Sequence, residues 1–360
     1  MQRVINFDWL EVFCYEQVPL EPALFEQEGY VVKVREYGTP IYRQMFSVCA
    51  WDTDSPMFEI RRDPYSVRSS GGIMNDGACH LRVTNPFCYV PGIVDKFIAF
   101  MQAHQLQFVS ISRVDVCCDF ECFEDGASVE QFLSDYICER FYKENQPRVH
   151  AIRDNIVTEV RTNKAHGTDT PRRRVWNSLS WGSNKSLIKT RIYNKTYEMK
   201  CAKHKEYICS VWRAAGWDGK SDVWRLEFQI NASTDWASSI QGENFRVELR
   251  EVGDKRLLGI WFHGLASRYF RFRKVEVLSN GNRQRKDRCP LYLPLRYHAQ
   301  DLEVKPAKPN LKKTATRQEN KVYRYLQGHQ WDMPAEVARS AHLVALWLER
   351  KYISEENAVQ

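Results

Sequence analysis

The sequence predicts an α+β fold in which helices flank a mainly antiparallel central sheet. Segments with alternating apolar and polar residues are separated by turn signals such as Gly38-Thr-Pro40. Helical segments interrupt them in a strand–helix–strand–helix order, which is typical of a fold around one sheet. The chain has 360 residues, of which 43% are hydrophobic and 13% aromatic. This composition fits a folded protein and excludes a disordered one.

In the first half of the chain, period two predicts the strands Phe7–Glu16, Tyr30–Glu36, Ile41–Ala50, Met57–Arg62, Ala78–Thr84 and Phe108–Glu121. Helical spacing predicts helices over Gly92–His104 and Ser128–Lys143, the second with Ser128 as its N-cap. The strand Phe108–Glu121 has one apolar face, and its other face carries Asp115 and Asp119.

In the second half, the polar and basic stretch Gln146–Arg174 is predicted to be an exposed loop. The predicted elements after it are strands at 175–182 and 187–195, a helix at Thr196–Trp212, a strand at Val223–Ile230, a helix at Asp254–Ser267 and a strand at Tyr269–Val277. The sequence thus predicts a main domain over residues 1–300, a basic linker over 301–315 and a helical region over 316–360. Packing, self-association, origin recognition and helicase recruitment remain open as roles for the helical region.

Positive charge is clustered rather than large. Lys and Arg number 52 against 45 Asp and Glu, but residues 268–288 hold eight basic residues and two acidic ones. Clusters of this kind indicate contact with nucleic acid. The predicted DNA contacts are Arg172, Arg173, Arg174, Lys189, Arg271, Arg273, Arg283, Arg285 and Lys286.

The eleven cysteines follow no Cys-x-x-Cys spacing, so no structural zinc site is predicted. Free thiols in a reducing cytosol are the expected state. The N-terminus lacks a signal-peptide pattern and no apolar run approaches the length of a membrane span. We therefore expect a cytoplasmic protein without a membrane partner.

The stretch Ile188–Lys195 is the most informative part of the sequence. As a strand it would carry Lys189, Arg191, Tyr193 and Lys195 on one face. A tyrosine among cations suits a phenol that attacks a phosphate, since positive charge favours the phenolate and holds a DNA backbone. The same alternation is also typical of a solvated strand face.

Three motifs resemble the rolling-circle replication initiation factor family, the trans-acting Rep proteins of plasmids and phages. They are Trp181-Gly-Ser183, Arg191-Ile-Tyr-Asn-Lys195 and Val223-Trp-Arg-Leu-Glu-Phe-Gln229. The resemblance implies a Rep nuclease-like fold. It also implies that Tyr193 is the nucleophile, which nicks one strand at an origin, forms a 5′-phosphotyrosine and a 3′-OH primer, and later religates the strand.

The resemblance also implies a divalent metal, Mg²⁺ or Mn²⁺, held by acidic residues, and the nine histidines include no His-x-His pair. Asp115, Asp119 and Glu227 are the predicted ligands. Four residues along a strand span roughly 13 Å, so one of the two aspartates would pair with Glu227. Glu227 is also a candidate base, and Arg191 and Lys195 are the predicted phosphate clamps.

Two other functions fit the same residues. A conjugative relaxase would perform the same chemistry at a transfer origin, and a non-catalytic regulator would bind DNA without cutting it. The expected partners are an origin hairpin or single-stranded DNA, a host helicase and a second copy of the chain.

Overall fold

The computed structural model describes residues 1–49, 54–65, 77–144, 149–158, 172–184, 186–202, 204–231, 237–240, 243–246 and 248–295. All of them belong to one compact unit, Met1–Pro306. The predicted linker over 301–315 and the helical region over 316–360 lie outside the described residues. Within the described residues, no helix combines the length and the apolar character that a bilayer span requires.

The strands are β1 Val4–Glu16, β2 Val32–Val34, β3 Tyr42–Cys49, β4 Pro56–Pro64, β5 Ala78–Val83, β6 Leu106–Phe120, β7 Phe141–Lys143, β8 Val149–Thr158, β9 Arg172–Trp181, β10 Ile188–Asn194, β11 Trp224–Asn231, β12 Ala237–Ile240, β13 Glu243–Arg246, β14 Phe272–Lys274 and β15 Leu291–Tyr292. The α-helices are α1 Pro22–Gln27, α2 Ile93–Ala103, α3 Val129–Ile137, α4 Lys195–Cys201, α5 Glu206–Ala214 and α6 Lys255–Tyr269. Short 3₁₀ turns occupy Phe87–Tyr89, Leu249–Gly253 and Lys286–Arg288.

One large sheet organises the described residues. It has ten strands in the order β2-β3-β4-β5-β1-β6-β11-β10-β9-β8. Every neighbouring pair in it is antiparallel. This topology confirms the predicted α+β class with a mainly antiparallel central sheet.

The two faces of this sheet differ in chemistry. One face is apolar and is covered by α2, α3 and α6, which contribute Phe97, Phe132 and Trp261 to the same core as Val116 and Leu226. Each large apolar side chain buried there contributes about 1.5–3 kcal/mol. The opposite face, here called the polar face, carries the alternate residues. Among them are Trp9, Glu11, Arg113, Asp115, Lys189, Arg191, Tyr193, Arg225, Glu227 and Gln229.

The helices α4 and α5 close one end of the polar face. They pack a second apolar cluster, in which Met199, Ile208 and Trp212 are buried. The indole N–H of Trp212 donates to the carboxylate of Asp119 at 2.8 Å. This hydrogen bond fixes the helix pair to the end of β6.

A small sheet, β15-β14-β7, lies on the other side of the molecule. The ring of Phe272 in β14 is 5.9 Å from that of Trp181, which is fully buried in the core. The small sheet therefore packs on the apolar face of the large sheet, away from Tyr193.

Three predictions of secondary structure were wrong. The helix predicted over Ser128–Lys143 ends at Ile137, because Glu139 has a left-handed backbone with φ 58°, and Phe141–Lys143 forms β7. The helix predicted over Thr196–Trp212 is divided into α4 and α5. The loop predicted over Gln146–Arg174 contains β8 and the start of β9. The backbone pairing of these two strands cannot be recognised from their composition.

Lys143 makes stability depend on pH. Its side chain is 3% exposed, its ammonium donates to the carbonyl of Tyr269, and burial lowers the pKa of Lys143 to about 7. Between this value and the unfolded pKa near ~10.4, the unfolded chain holds the extra proton, so the free energy of unfolding rises with pH by up to about 1.4 kcal/mol per unit. Chemical denaturation from pH 7 to 9 should show this rise, and Lys143→Met should remove it.

The matched control for this prediction is Lys96→Met, since Lys96 is exposed on α2. This variant should keep the pH dependence of the wild type. If Lys143→Met and the wild type show equal slopes, Lys143 is charged in the folded protein throughout this range.

Candidate active site

Pairing between β10 and β11 brings Tyr193 to Glu227. Arg191 is the partner of Glu227 in the register, and Tyr193 that of Arg225. The phenol of Tyr193 donates to Oε2 of Glu227 at 2.9 Å, and the guanidinium of Arg191 donates to Oε1. A single buried carboxylate thus joins the predicted nucleophile to a predicted clamp.

The protonation states at this pair follow from its surroundings. Burial opposes ionisation of Glu227. The positive charge of Arg191 outweighs the effect of burial, with smaller contributions from Arg225 and Lys195, and holds the pKa of Glu227 at about 2. Burial and the charge of Glu227 raise the pKa of Tyr193 well above its usual value. The expectation that the cations favour the phenolate was therefore wrong, and a neutral phenol faces an ionised acceptor.

Lys195 reaches the phenol from a helix rather than from the strand. The side chain of Asn194 accepts a hydrogen bond from the backbone N–H of Tyr197 at 2.8 Å, which caps α4 and makes Lys195 its first residue. The predicted strand face therefore ends one residue early. The ammonium of Lys195 still lies 3.4 Å from the hydroxyl of Tyr193, and it pairs with Glu198 at 2.7 Å.

Asp115 lies on β6, next to the strand of Glu227. It is 2% exposed and accepts a hydrogen bond from Nε of Arg113 at 2.7 Å. Burial raises the pKa of Asp115 to about 7, and the negative charge of Glu227 adds to this rise. The two carboxylates are therefore electrostatic neighbours on the polar face.

Asp119 belongs to a different cluster. The register places it opposite Arg225, which grips both of its oxygens at 2.6 and 2.7 Å and donates to Asp8 at 2.7 Å. Trp212 and Tyr89 complete the contacts of this buried group. The structure groups Asp119 with Asp8, Arg225 and Trp212, whereas Asp115 is the carboxylate whose titration responds to the charge of Glu227.

The oxygen donors suit a hard cation. Asp115 and Glu227 are both nearly fully buried, and their mutual repulsion is the kind that a divalent ion relieves. A second set that could hold a metal consists of His204, Glu206 and Cys209, whose ligand atoms lie within 4.8 Å of one another. That set lies at α5, and the cysteine spacing did not predict it.

The predicted DNA contacts are divided between the two sides of the molecule. Lys189 lies on the polar face and donates to the side chain of Asn184 at 2.7 Å. Arg172, Arg173 and Arg174 begin β9, and their side chains fall outside the described part of the chain. The others lie at or beside the small sheet and have partners there: Arg271 and Arg273 with Glu144, Arg283 with Glu139, Arg285 with Asp287, and Lys286 with the carbonyl of Lys143.

Sequence reasoning missed Asp8, Arg113 and Arg225 as parts of this region. Asp8 lies 3.9 Å from the ammonium of Lys195, and Arg225 joins Asp8 to Asp119. The signal for Arg113 was its spacing from Asp115, since residues two apart share a strand face. The role of Arg225 depends on register between strands and had no local signal.

Comparison with known proteins gives limited similarity. No family model matches the chain, and no curated protein matches it. Among solved structures, it is similar to a rolling circle replication initiator protein from Geobacillus stearothermophilus, with 16% identity and a TM-score of 0.45 over 82% of this chain and 98% of that chain. Similarity at this level shows no family for the chain, so the function proposed below depends on the geometry of the site.

Proposed function

We propose that this protein is a rolling-circle DNA replication initiator that nicks and rejoins one strand through Tyr193. The hydrogen bond from the phenol to Glu227, with Arg191 and Lys195 beside it, is the observation that carries this proposal. An ionised acceptor within hydrogen-bond distance is the arrangement that a tyrosine nucleophile needs.

In the proposed reaction, the oxygen of Tyr193 attacks the scissile phosphorus and its proton passes to Glu227, which becomes a stronger base when Arg191 turns from this carboxylate to the phosphate. The bond to the 3′ oxygen breaks, that oxygen takes up a proton from water, and a 5′-phosphotyrosine remains. Arg191 has a partly exposed side chain, from which it could also reach a phosphate oxygen. Reversal by a 3′-OH restores the tyrosine and joins the strand.

Asp115 and Glu227 would hold the divalent cation, Mg²⁺ or Mn²⁺. When bound, the ion supplies Lewis-acid stabilisation of phosphate charge, worth several kcal/mol. Arg113 would orient Asp115, because it already grips that carboxylate.

The proposed substrate is a single strand or hairpin at the origin, held in part by Lys189. We further propose a host helicase and a second copy of the chain as partners, and action in the cytoplasm. Residues 1–300 would form the nicking and origin-binding domain, to which the linker over 301–315 joins the region over 316–360.

The direct test is incubation of the full chain with Mn²⁺ and a supercoiled plasmid that carries the DNA around its own gene. A denaturing gel should show protein covalently attached to DNA, and mass spectrometry should map the adduct to the peptide of Tyr193. Chelation should abolish it. Binding without nicking or adduct in Mg²⁺ or Mn²⁺ would instead support a non-catalytic regulator. Nicking at a transfer origin alone would support a relaxase.

Glu227→Gln should reduce the nicking rate by about 10²–10⁴-fold, because an amide accepts no proton and binds a cation weakly. The rate is measured as conversion of supercoiled to open-circular plasmid. Glu26→Gln is the matched control, since Glu26 is exposed on α1. Nicking by Glu227→Gln at the wild-type rate would remove Glu227 from the site.

A further inference from the structure

The indole of Trp9 lies between two arginines on the polar face. The guanidinium carbons of Arg82 and Arg113 are each 4.2 Å from its ring centroid. Arg82 belongs to β5 and Arg113 to β6, the two strands that flank β1. The indole N–H donates to Glu11 at 3.2 Å. This stack holds the two guanidinium groups extended and flat.

Packing of the core does not account for this tryptophan. Trp9 is half-buried and is not a member of the apolar core, whereas its neighbour Leu10 is fully buried there. A large ring on the polar side of a sheet, with a cation against it, is a common element of surfaces that bind single-stranded nucleic acid.

More cations extend the stack across the sheet. Glu59 pairs with Arg35, Arg61 and Arg82, of which the side chain of Arg35 is 60% exposed. On this part of the polar face, the cations outnumber the carboxylates; the cations are Lys33, Arg35, Arg61, Arg82 and Arg113, and the carboxylates are Glu11, Asp54, Glu59 and Asp115. The excess is positive, as contact with a phosphate backbone requires.

Aromatic rings continue along the same face of β1. The rings of Phe13 and Tyr15 are 5.2 Å apart, and that of His80 in β5 is 5.3 Å from Phe13. All three residues are partly exposed. Partly exposed rings beside arginines offer stacking surfaces to bases that are not paired in a duplex.

The stack is continuous with the candidate active site. Trp9 is the partner of Asp115 in the register between β1 and β6, and Arg113 binds the carboxylate of Asp115. On the other side of β6, Gln229 of β11 is the partner of Asp115. Glu227 lies two residues from Gln229, on the same face of β11. A strand of DNA held at Tyr193 therefore meets this surface when it crosses β6.

We propose that Trp9, Phe13, Tyr15, Arg82 and Arg113, here called the β1 patch, bind the single-stranded DNA next to the scissile phosphate. The arginines contact backbone phosphates, and the rings of Phe13 and Tyr15 stack with bases. The proposal rests on the proposed function for the identity of the strand. The surface itself is separate from the nucleophile.

The test measures binding of a fluorescent oligo(dT) by anisotropy in the Tyr193→Phe background without metal, so that cleavage plays no part. Phe13→Leu should weaken binding about tenfold through lost stacking. Arg82→Gln should weaken it and make the slope of log affinity against log salt shallower by about 0.7, the value for one phosphate on a single strand. Arg82→Lys should keep the slope, which separates lost charge from lost folding.

Arg250→Gln is the matched control, because Arg250 is 75% exposed and lies in a 3₁₀ turn that packs against α2. It should bind like the parent. Equal affinities for the control and the two patch variants, or binding of duplex DNA alone, would overturn the proposal. Loss of oligo(dT) binding in the patch variants would support the proposal even if the wild type formed no adduct. Failure of the β1 patch proposal is therefore distinguishable from failure of the nicking function.

Discussion

Replacing Tyr193 by phenylalanine is expected to abolish both strand cleavage and the covalent adduct while DNA binding persists. The variant removes one oxygen atom, and that atom is the proposed nucleophile, which donates to Glu227 at 2.9 Å. The ring remains between the cations of Arg191 and Lys195, at 5.5 and 5.3 Å, so the fold around it is retained. Adduct formation on a denaturing gel and affinity by anisotropy measure the two effects separately.

Tyr197→Phe is the matched control, because Tyr197 lies four residues further on, in α4. It should nick at the wild-type rate and form the same adduct. An adduct that survives in Tyr193→Phe would show that the nucleophile is another residue.

Arg225→Met should destabilise the protein by about 3–5 kcal/mol, the cost of leaving buried carboxylates without their partner. Arg225 is fully buried and makes hydrogen bonds of 2.6–2.7 Å to Asp8, Asp119 and Tyr89. Methionine matches the apolar stem of the side chain but provides no donor. Urea unfolding followed by far-UV circular dichroism measures the difference.

Arg250→Met controls for removal of an exposed ion pair and should change stability by less than about 1 kcal/mol. Adding Asp8→Asn and Asp119→Asn to Arg225→Met should recover part of the loss, since no charge is then left unpaired. If Arg225→Met is as stable as the wild type, the buried cluster does not stabilise the fold.

Local patterns predicted the parts of the site that lie within one strand. Period two placed Tyr193 on the face opposite Ile192, and the structure has this alternation, with Ile192 fully buried. The first residue of α4 was missed because the capping role of Asn194 overrides the strand pattern at Lys195. Where a local pattern is consistent with both a strand and a helix, such a cap determines which of the two forms.

Relations between strands could not be predicted from local patterns. Asp119 and Arg225 are 106 residues apart, and only their register shows that Asp119 is held by an ion pair. Glu227 could be placed near an aspartate from its motif, but the register sets it opposite Cys117, two residues from both Asp115 and Asp119. Strand β8 was missed because its apolar and polar residues do not alternate regularly, and backbone pairing identifies it instead.

The order of strands in the large sheet has a consequence for synthesis of the chain. The six strands on one side of the seam between β6 and β11 all come from residues 4–120, whereas the four on the other side come from residues 149–231. Until β11 has been made, β6 has an unpaired edge, a template for association between nascent chains. The seam also separates Asp115 from Glu227 and Tyr193. An incomplete chain therefore has the edge but lacks the carboxylate that accepts the hydrogen bond of Tyr193, and under the proposed mechanism it could not cut DNA before the sheet is closed.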